Sequence, residues 1–261
     1  MLSRLSPEIV SSGAVPPPDD AKSINASMLR TVAEAMGKLR ESVVFLGGTV
    51  LPYFLSEELS RYVRPAKDVD FIIDFDRKAD LFAFEDALWD RGFKKASNGA
   101  VCLWLLGRIK VDALPGDPET KTFNNQWCGE GMKYAERIDI GGGLHVNAIS
   151  APYYLGTKLN AFDKRGYGKF TISKDIFDIL LVFAGHRNIE TAIQNRTSPA
   201  FKAYLHEKLD WLCQGTEDFS KIAALGFESD RALSRHLPEA VSRMRAAQSI
   251  LANKGITDET A

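Results

Sequence analysis

Asp68, Asp70 and Asp112 each stand inside a short apolar run, Asp-Val-Asp-Phe-Ile-Ile for the first two and Lys-Val-Asp-Ala-Leu for the third. Strand side chains alternate between faces, so Asp68 and Asp70 point one way while Val69 and Phe71 point into the core. Adjacent carboxylates repel, and an unpaired charge in apolar surroundings is expensive. A hard cation such as Mg2+, with Mn2+ as a substitute, removes both costs by taking carboxylate oxygens as ligands. If the Asp112 strand lies beside the Asp68/Asp70 strand, the three carboxylates converge. Asp68 and Asp70 would then bind metal, and Asp112 would help to bind it or accept the proton of an attacking hydroxyl. In-line phosphoryl or nucleotidyl transfer uses this layout. The competing reading is an edge strand with acidic outward positions. That reading expects another polar residue next in register, where the chain has Ile72. For Asp112 the alternative is pairing with Lys110 or Arg108.

Upstream, Gly47-Gly48-Thr49 ends the short apolar run Val43–Leu46. A glycine pair opening a helix offers free backbone N–H groups and a positive dipole end, which suits phosphate. Alone, the same pair is also just a tight, closely packed turn. Arg64 and Lys67 precede the aspartate pair, where they would line a nucleotide entrance or neutralise the acidic cluster; for Lys67 a solvated loop position is the equal alternative.

The elements that must hold these residues follow from hydrophobic period and punctuation. Ser11–Asp20 carries three successive prolines and reads as a flexible N-terminal segment over residues 1–20, with Asp20 capping the next helix. Ile24, Met28, Leu29, Val32, Met36 and Leu39 keep helical spacing. Val43–Leu46 reads as a buried strand, Thr49–Tyr62 as a helix, Asp68–Phe75 as a second strand and Ala79–Arg91 as an amphipathic helix stopped by Gly92. Val101–Leu106 with Ile109–Leu114, and Tyr134–Ile140 with Leu144–Ile149, read as two hairpins, and Pro115–Gly131 as a loop between them. From Ala151 the pattern is helical almost throughout, beginning with Tyr153–Lys164 and Lys174–Ala184. The expected class is α+β: a mixed sheet flanked by helices over residues 21–150, then a helical part over 151–261 that completes the site.

Composition bounds the function. The 261 residues are 45% hydrophobic and 26% charged, with a net charge of −1, so no global basic field advertises nucleic acid. A local excess at Lys158, Lys164, Arg165, Lys169 and Lys174 either holds an RNA backbone or is a solvated loop. Three scattered cysteines form no C-x-x-C pair and fit a reducing compartment. Neither a long apolar leader nor a membrane-length run is found, which gives the expectation of a cytoplasmic protein without a membrane partner.

The string Gly47-Gly48-Thr49, then Arg64-Pro65-Ala66-Lys67-Asp68-Val69-Asp70-Phe71-Ile72-Ile73, then Lys110-Val111-Asp112-Ala113-Leu114-Pro115, resembles the nucleotidyltransferase superfamily with the DNA-polymerase-β-like fold. More specifically, it looks like the AbiEii-type nucleotidyltransferases, the toxin side of type IV toxin–antitoxin systems, and their uncharacterised relatives. The later string Ser150-Ala151-Pro152-Tyr153-Tyr154-Leu155-Gly156-Thr157-Lys158 adds to the likeness, which covers Val43 to Leu181. The resemblance implies Mg2+-dependent transfer of a nucleotide from an NTP to a hydroxyl, on RNA (a tRNA end included), a protein or a small molecule, and an antitoxin protein as a partner. It implies that Gly47, Gly48 and Thr49 hold phosphate, the Thr49 hydroxyl standing where many relatives use serine. It gives Lys158 a contact with the triphosphate, against the bland reading of a lysine snorkelling along the core edge. Arg64 gains weight because relatives often keep an arginine there. Asp175, with Asp178 one turn on, either orients Lys158 through an ion pair or simply stabilises the start of its helix. One departure is the Thr49–Asp68 stretch, longer than in compact superfamily members, which implies an extra helical turn or loop at the rim. The rivals are a catalytically silent nucleotide- or partner-binding protein on the same fold, and a small-molecule (antibiotic) nucleotidyltransferase.

Overall fold

Alternating apolar runs between glycine turns build a seven-stranded mixed sheet in the computed structural model, which describes residues 18–75, 78–96, 102–116, 125–165, 173–214 and 231–254. The expected flexible segment lies outside the described residues up to residue 17. The strands are β1 (Val44–Leu46), β2 (Asp68–Ile73), β3 (Lys94–Lys95), β4 (Leu103–Leu106), β5 (Ile109–Pro115), β6 (Glu136–Asp139) and β7 (His145–Ala148), in spatial order β3-β4-β5-β2-β1-β7-β6. Both expected hairpins form, β4 with β5 and β6 with β7. The parallel pairs β2–β5 and β1–β7 join them through the antiparallel pair β1–β2.

Helix α1 (Pro18–Met36) starts on a proline, whose missing N–H costs nothing in a first turn, so Asp20 sits inside the helix rather than capping it. Its inward face is Ala21, Asn25, Leu29, Val32, Ala33 and Met36; Ile24, expected on that face, is 41% exposed. Thr49–Tyr62 is not one helix. Pro52 stands near the start of a four-residue 3-10 helix, Leu51–Phe54, and Ser56 then caps a separate α2 (Glu57–Ser60) by accepting the Leu59 N–H. Helix α3 (Lys78–Trp89) covers the sheet face carrying Phe71, whose ring meets Phe84 edge-on at 6.2 Å. Helix α4 (Cys128–Lys133) occupies the end of the stretch expected as loop.

Among the described residues the helical part begins with α5 (Ala151–Arg165) and α6 (Lys174–Gly185), continues through α7 (Ile189–Asn195) and α8 (Pro199–Gln214), and closes with the short Arg231–Ser234 and the long Leu237–Lys254. Gly156 weakens α5 as a helix but admits α8, because a Cβ there would collide with the Phe201 ring. Tyr153 stacks on Tyr134, at the end of α4, at 5.0 Å and packs on Phe201 at 4.2 Å, tying α4, α5 and α8 together. One hydrophobic cluster runs from Leu29 in α1 through the sheet to Ala247 in the last helix, so the two parts share a core. No described helix is long and apolar enough to cross a membrane.

Candidate active site

β2 is the middle strand of the sheet, which removes the edge-strand reading of its acidic face. Its register with β5 sets Asp70 opposite Asp112, and Asp68 opposite Lys110. Residues paired across neighbouring strands project to one face, so all three carboxylates share it, each half-buried. Val69, Phe71 and Val111 fill the core behind them, fully buried. Burial first, and the Asp68 charge second, push the Asp112 carboxyl above its ordinary value; Lys110 offsets this only in part. Below the strands, burial and the Asp70 charge push the Cys128 thiol up to about 12, which keeps it protonated and inert at neutral pH.

The glycine turn lies directly against this face. Gly47 has φ +80°, and a Cβ on it would collide with Asp70 Oδ2. Only glycine both adopts that backbone and leaves room for the carboxylate. The turn leads into the short 3-10 helix rather than a long α-helix, so little dipole stands behind it. What it offers an anion is close-approach backbone at Gly47 and Gly48, both of which line the cavity. Thr49 is placed differently from its expected role. It is fully buried behind the turn, it does not line the cavity, and its hydroxyl has no hydrogen-bond partner among the described residues.

The opposite wall comes from α5 and α6. Lys158 Nζ donates to Asp178 Oδ2 at 2.6 Å, with Asp175 Oδ1 further off at 3.7 Å. Arg64 reaches the same carboxylate, donating from Nη2 to Asp178 Oδ1 at 2.7 Å and to the Lys174 carbonyl at 2.8 Å, with its guanidinium over the Phe177 ring. Burial opposes ionisation of Asp178, but Lys158 and Arg64 prevail and hold its carboxyl below the ordinary value. Lys158 is raised for the matching reason: burial disfavours its charge, and Asp178, with Tyr154 and Asp175 adding to it, more than restores it. Asp178, rather than the expected Asp175, is the centre of this wall. The signal was there, since α6 is buried on nearly all sides, and a carboxylate one turn into such a helix requires a cationic partner.

Between the walls lies a cavity of about 590 Å³ lined by Gly47, Gly48, Arg64, Lys67, Asp68, Asp70, Asp112, Lys158, Asp175 and Asp178 among others. All the expected site residues except Thr49 therefore meet at one place. Five cationic and five anionic side chains line it and balance formally. Exposed Lys67, Lys164 and Lys174 stand at its margin, while Lys169 of the expected basic cluster lies outside the described residues. As they stand, no three His, Cys, Asp or Glu side chains among the described residues close around a single point fit for a metal ion. The donor chemistry nevertheless fits Mg2+, which takes one or two carboxylates, keeps several waters and completes its shell with substrate phosphate rather than requiring an all-protein cage. Compared with protein-family models and with curated proteins, the chain matches none.

Proposed function

We propose that this chain is a Mg2+-dependent nucleotidyltransferase of the polymerase-β-like kind, moving a nucleoside monophosphate from an NTP to a hydroxyl acceptor. The observation that carries the reading is the Asp70–Asp112 register, with Asp68 on the same face, across one cavity from Arg64 and Lys158. The sequence resemblance to AbiEii-type enzymes supports it. Asp68 and Asp70 would hold the metal. Bound there, the metal would neutralise the triphosphate and stabilise charge developing on the transferring group. The Gly47-Gly48 backbone, Lys158 and Arg64 would hold the phosphates in line for attack. Asp112, whose carboxyl burial and Asp68 make more basic, would accept the acceptor hydroxyl's proton as pyrophosphate leaves. The exposed lysines at the margin suit an RNA acceptor, a tRNA end included. A toxin role with an antitoxin partner follows from resemblance alone.

The test is transfer of α-labelled nucleotide to total RNA, with each of the four NTPs, by wild type and Asp70→Ala. The expected outcome is Mg2+-dependent labelling by wild type that falls at least about a hundredfold in the variant. If both are equally silent while nucleotide still binds, the protein is a binding module and the enzyme reading fails.

A further inference from the structure

The buried face of α1 is apolar at Ala21, Leu29, Val32, Ala33 and Met36, and polar at one position, Asn25, which is 0% exposed. A buried amide is retained at a cost unless its donors and acceptor are satisfied. Asn25 satisfies them on two separate segments of the cavity wall. Its Nδ2 donates to the Arg64 carbonyl at 2.9 Å and to the Gly48 carbonyl at 3.3 Å, and its Oδ1 accepts the Ala66 N–H at 2.7 Å. Arg64 and Ala66 flank Pro65, so the carbonyl and N–H that Asn25 takes are the pair a parallel neighbouring strand would take. Proline makes this segment extended and leaves it without a donor at its centre, so the side-chain amide substitutes for a strand partner. Gly48 and the segment are close enough that a Cβ on Gly48 would lie 3.3 Å from the Ala66 Cβ.

We infer that Asn25 is a positioning residue for the nucleotide's phosphates, an inference that rests on the reading of the cavity as a nucleotide site. It touches no reacting atom. It fixes the distance between the Gly47-Gly48 turn, against which Asp70 lies, and the Arg64 guanidinium, which reaches across to Asp178. Without it the two parts of the phosphate cradle lose the side-chain amide that bridges them, and the site loses preorganisation rather than a contact.

The experiment compares Asn25→Ala and Asn25→Asp with Leu29→Ala, one turn along the same buried face and without a side chain that could hydrogen-bond to either segment. The Asp variant keeps the shape and the acceptor but loses both donors. Calorimetry would give the dissociation constant of the tightest-binding Mg-NTP. Spin resonance would give Mn2+ affinity without nucleotide, and thermal unfolding would give stability. The expected result is that both Asn25 variants weaken Mg-NTP binding by at least about tenfold. Their Mn2+ affinity stays close to wild type, because Asp68 and Asp70 are held by the β2 ladder. Leu29→Ala, however destabilised, keeps wild-type nucleotide affinity below its melting temperature. If wild type binds and the Asn25 variants behave like Leu29→Ala, the positioning role is overturned and the reading of the site stands. If wild type binds neither Mn2+ nor any NTP, both fall.

Discussion

The acidic face of the sheet and the basic helical wall face each other across one cavity, yet they are held in opposite ways. The carboxylates of Asp68, Asp70 and Asp112 are placed by ladder register, which is set by backbone hydrogen bonds and core packing and is indifferent to their mutual repulsion. Arg64 and Lys158 are placed by the side chain they share, and Asp178 balances them in its buried position between. The first wall is therefore unfavourable for its charges, since burial first and Asp68 second raise the Asp112 carboxyl, whereas in the second wall Lys158 and Arg64 outweigh burial and lower the Asp178 carboxyl. A metal and a polyanion would relieve the first wall and compete with Asp178 for the second. The contrast assigns stability to one wall and binding capacity to the other.

The largest expected effect comes from breaking the balanced wall. Asp178→Ala leaves two cations facing each other with their shared anion gone and should destabilise the protein by about 3 kcal/mol, read by urea unfolding at neutral pH. Its pH dependence has a definite sign. The Asp178 carboxyl is lowered in the folded state, so below the ordinary value of 3.8 the unfolded chain binds more protons than the native one. The stability that Asp178 contributes is complete above that value and lost as pH falls through the lower native one. Asp178→Ala should flatten this acid limb; an unchanged acid limb would show that the pair is electrostatically idle.

Relieving the strained wall should do the reverse. Asp112→Asn keeps the shape and removes one repelling charge, and should stabilise the metal-free protein by roughly 1 kcal/mol at pH 7. Because the native carboxyl is raised, the native state holds the proton longer than the unfolded chain, and wild-type stability falls as pH rises from 3.8 through the native value. The variant should lack that loss. Added Mg2+ should raise the melting temperature of wild type and do so less in Asp112→Asn, since fewer carboxylate oxygens remain to be neutralised. Destabilisation of the metal-free variant would overturn the account of a strained face.

The two walls also differ in how far they can be read from sequence. The acidic strands are legible because alternation has period two, glycines mark the turns, and a carboxylate in an apolar run is conspicuous. Strand pairing is less so: that β2 and β5 run side by side in parallel depends on contacts about forty residues apart, which no local pattern specifies. The helical wall hides its logic further, because Asp175 and Asp178 have the same residue type and only packing separates them. Two misread helices have local causes. Pro52 and the Ser56 cap, both in plain view, break Thr49–Tyr62, while Gly129 and Gly131 disguise α4. Their lack of side chains serves tertiary packing, against the Gly116 carbonyl and Ile149 respectively. Asn25 escapes notice because its neighbours satisfy the helical pattern so well that one polar residue reads as noise.

The smallest effect decides between the two aspartates. Lys158, with its side chain 16% exposed, stands 2.6 Å from Asp178 and 3.7 Å from Asp175. A charge-assisted hydrogen bond forms at the first distance and not at the second, so coupling should differ even though both carboxylates are buried. Double-mutant cycles with Lys158→Met and each Asp→Asn substitution measure the difference by denaturant unfolding. The expected couplings are about 2 kcal/mol for Lys158 with Asp178 and less than about 1 kcal/mol for Lys158 with Asp175. Arg64 does not confuse the comparison, because its loosening on Asp178→Asn enters both arms of that cycle and cancels. Equal couplings would mean that the wall spreads its charge over both carboxylates. Lys158 would then have a second anion to fall back on if a triphosphate competed with Asp178, and the sharp division between a strained wall and a balanced one would soften into a gradient.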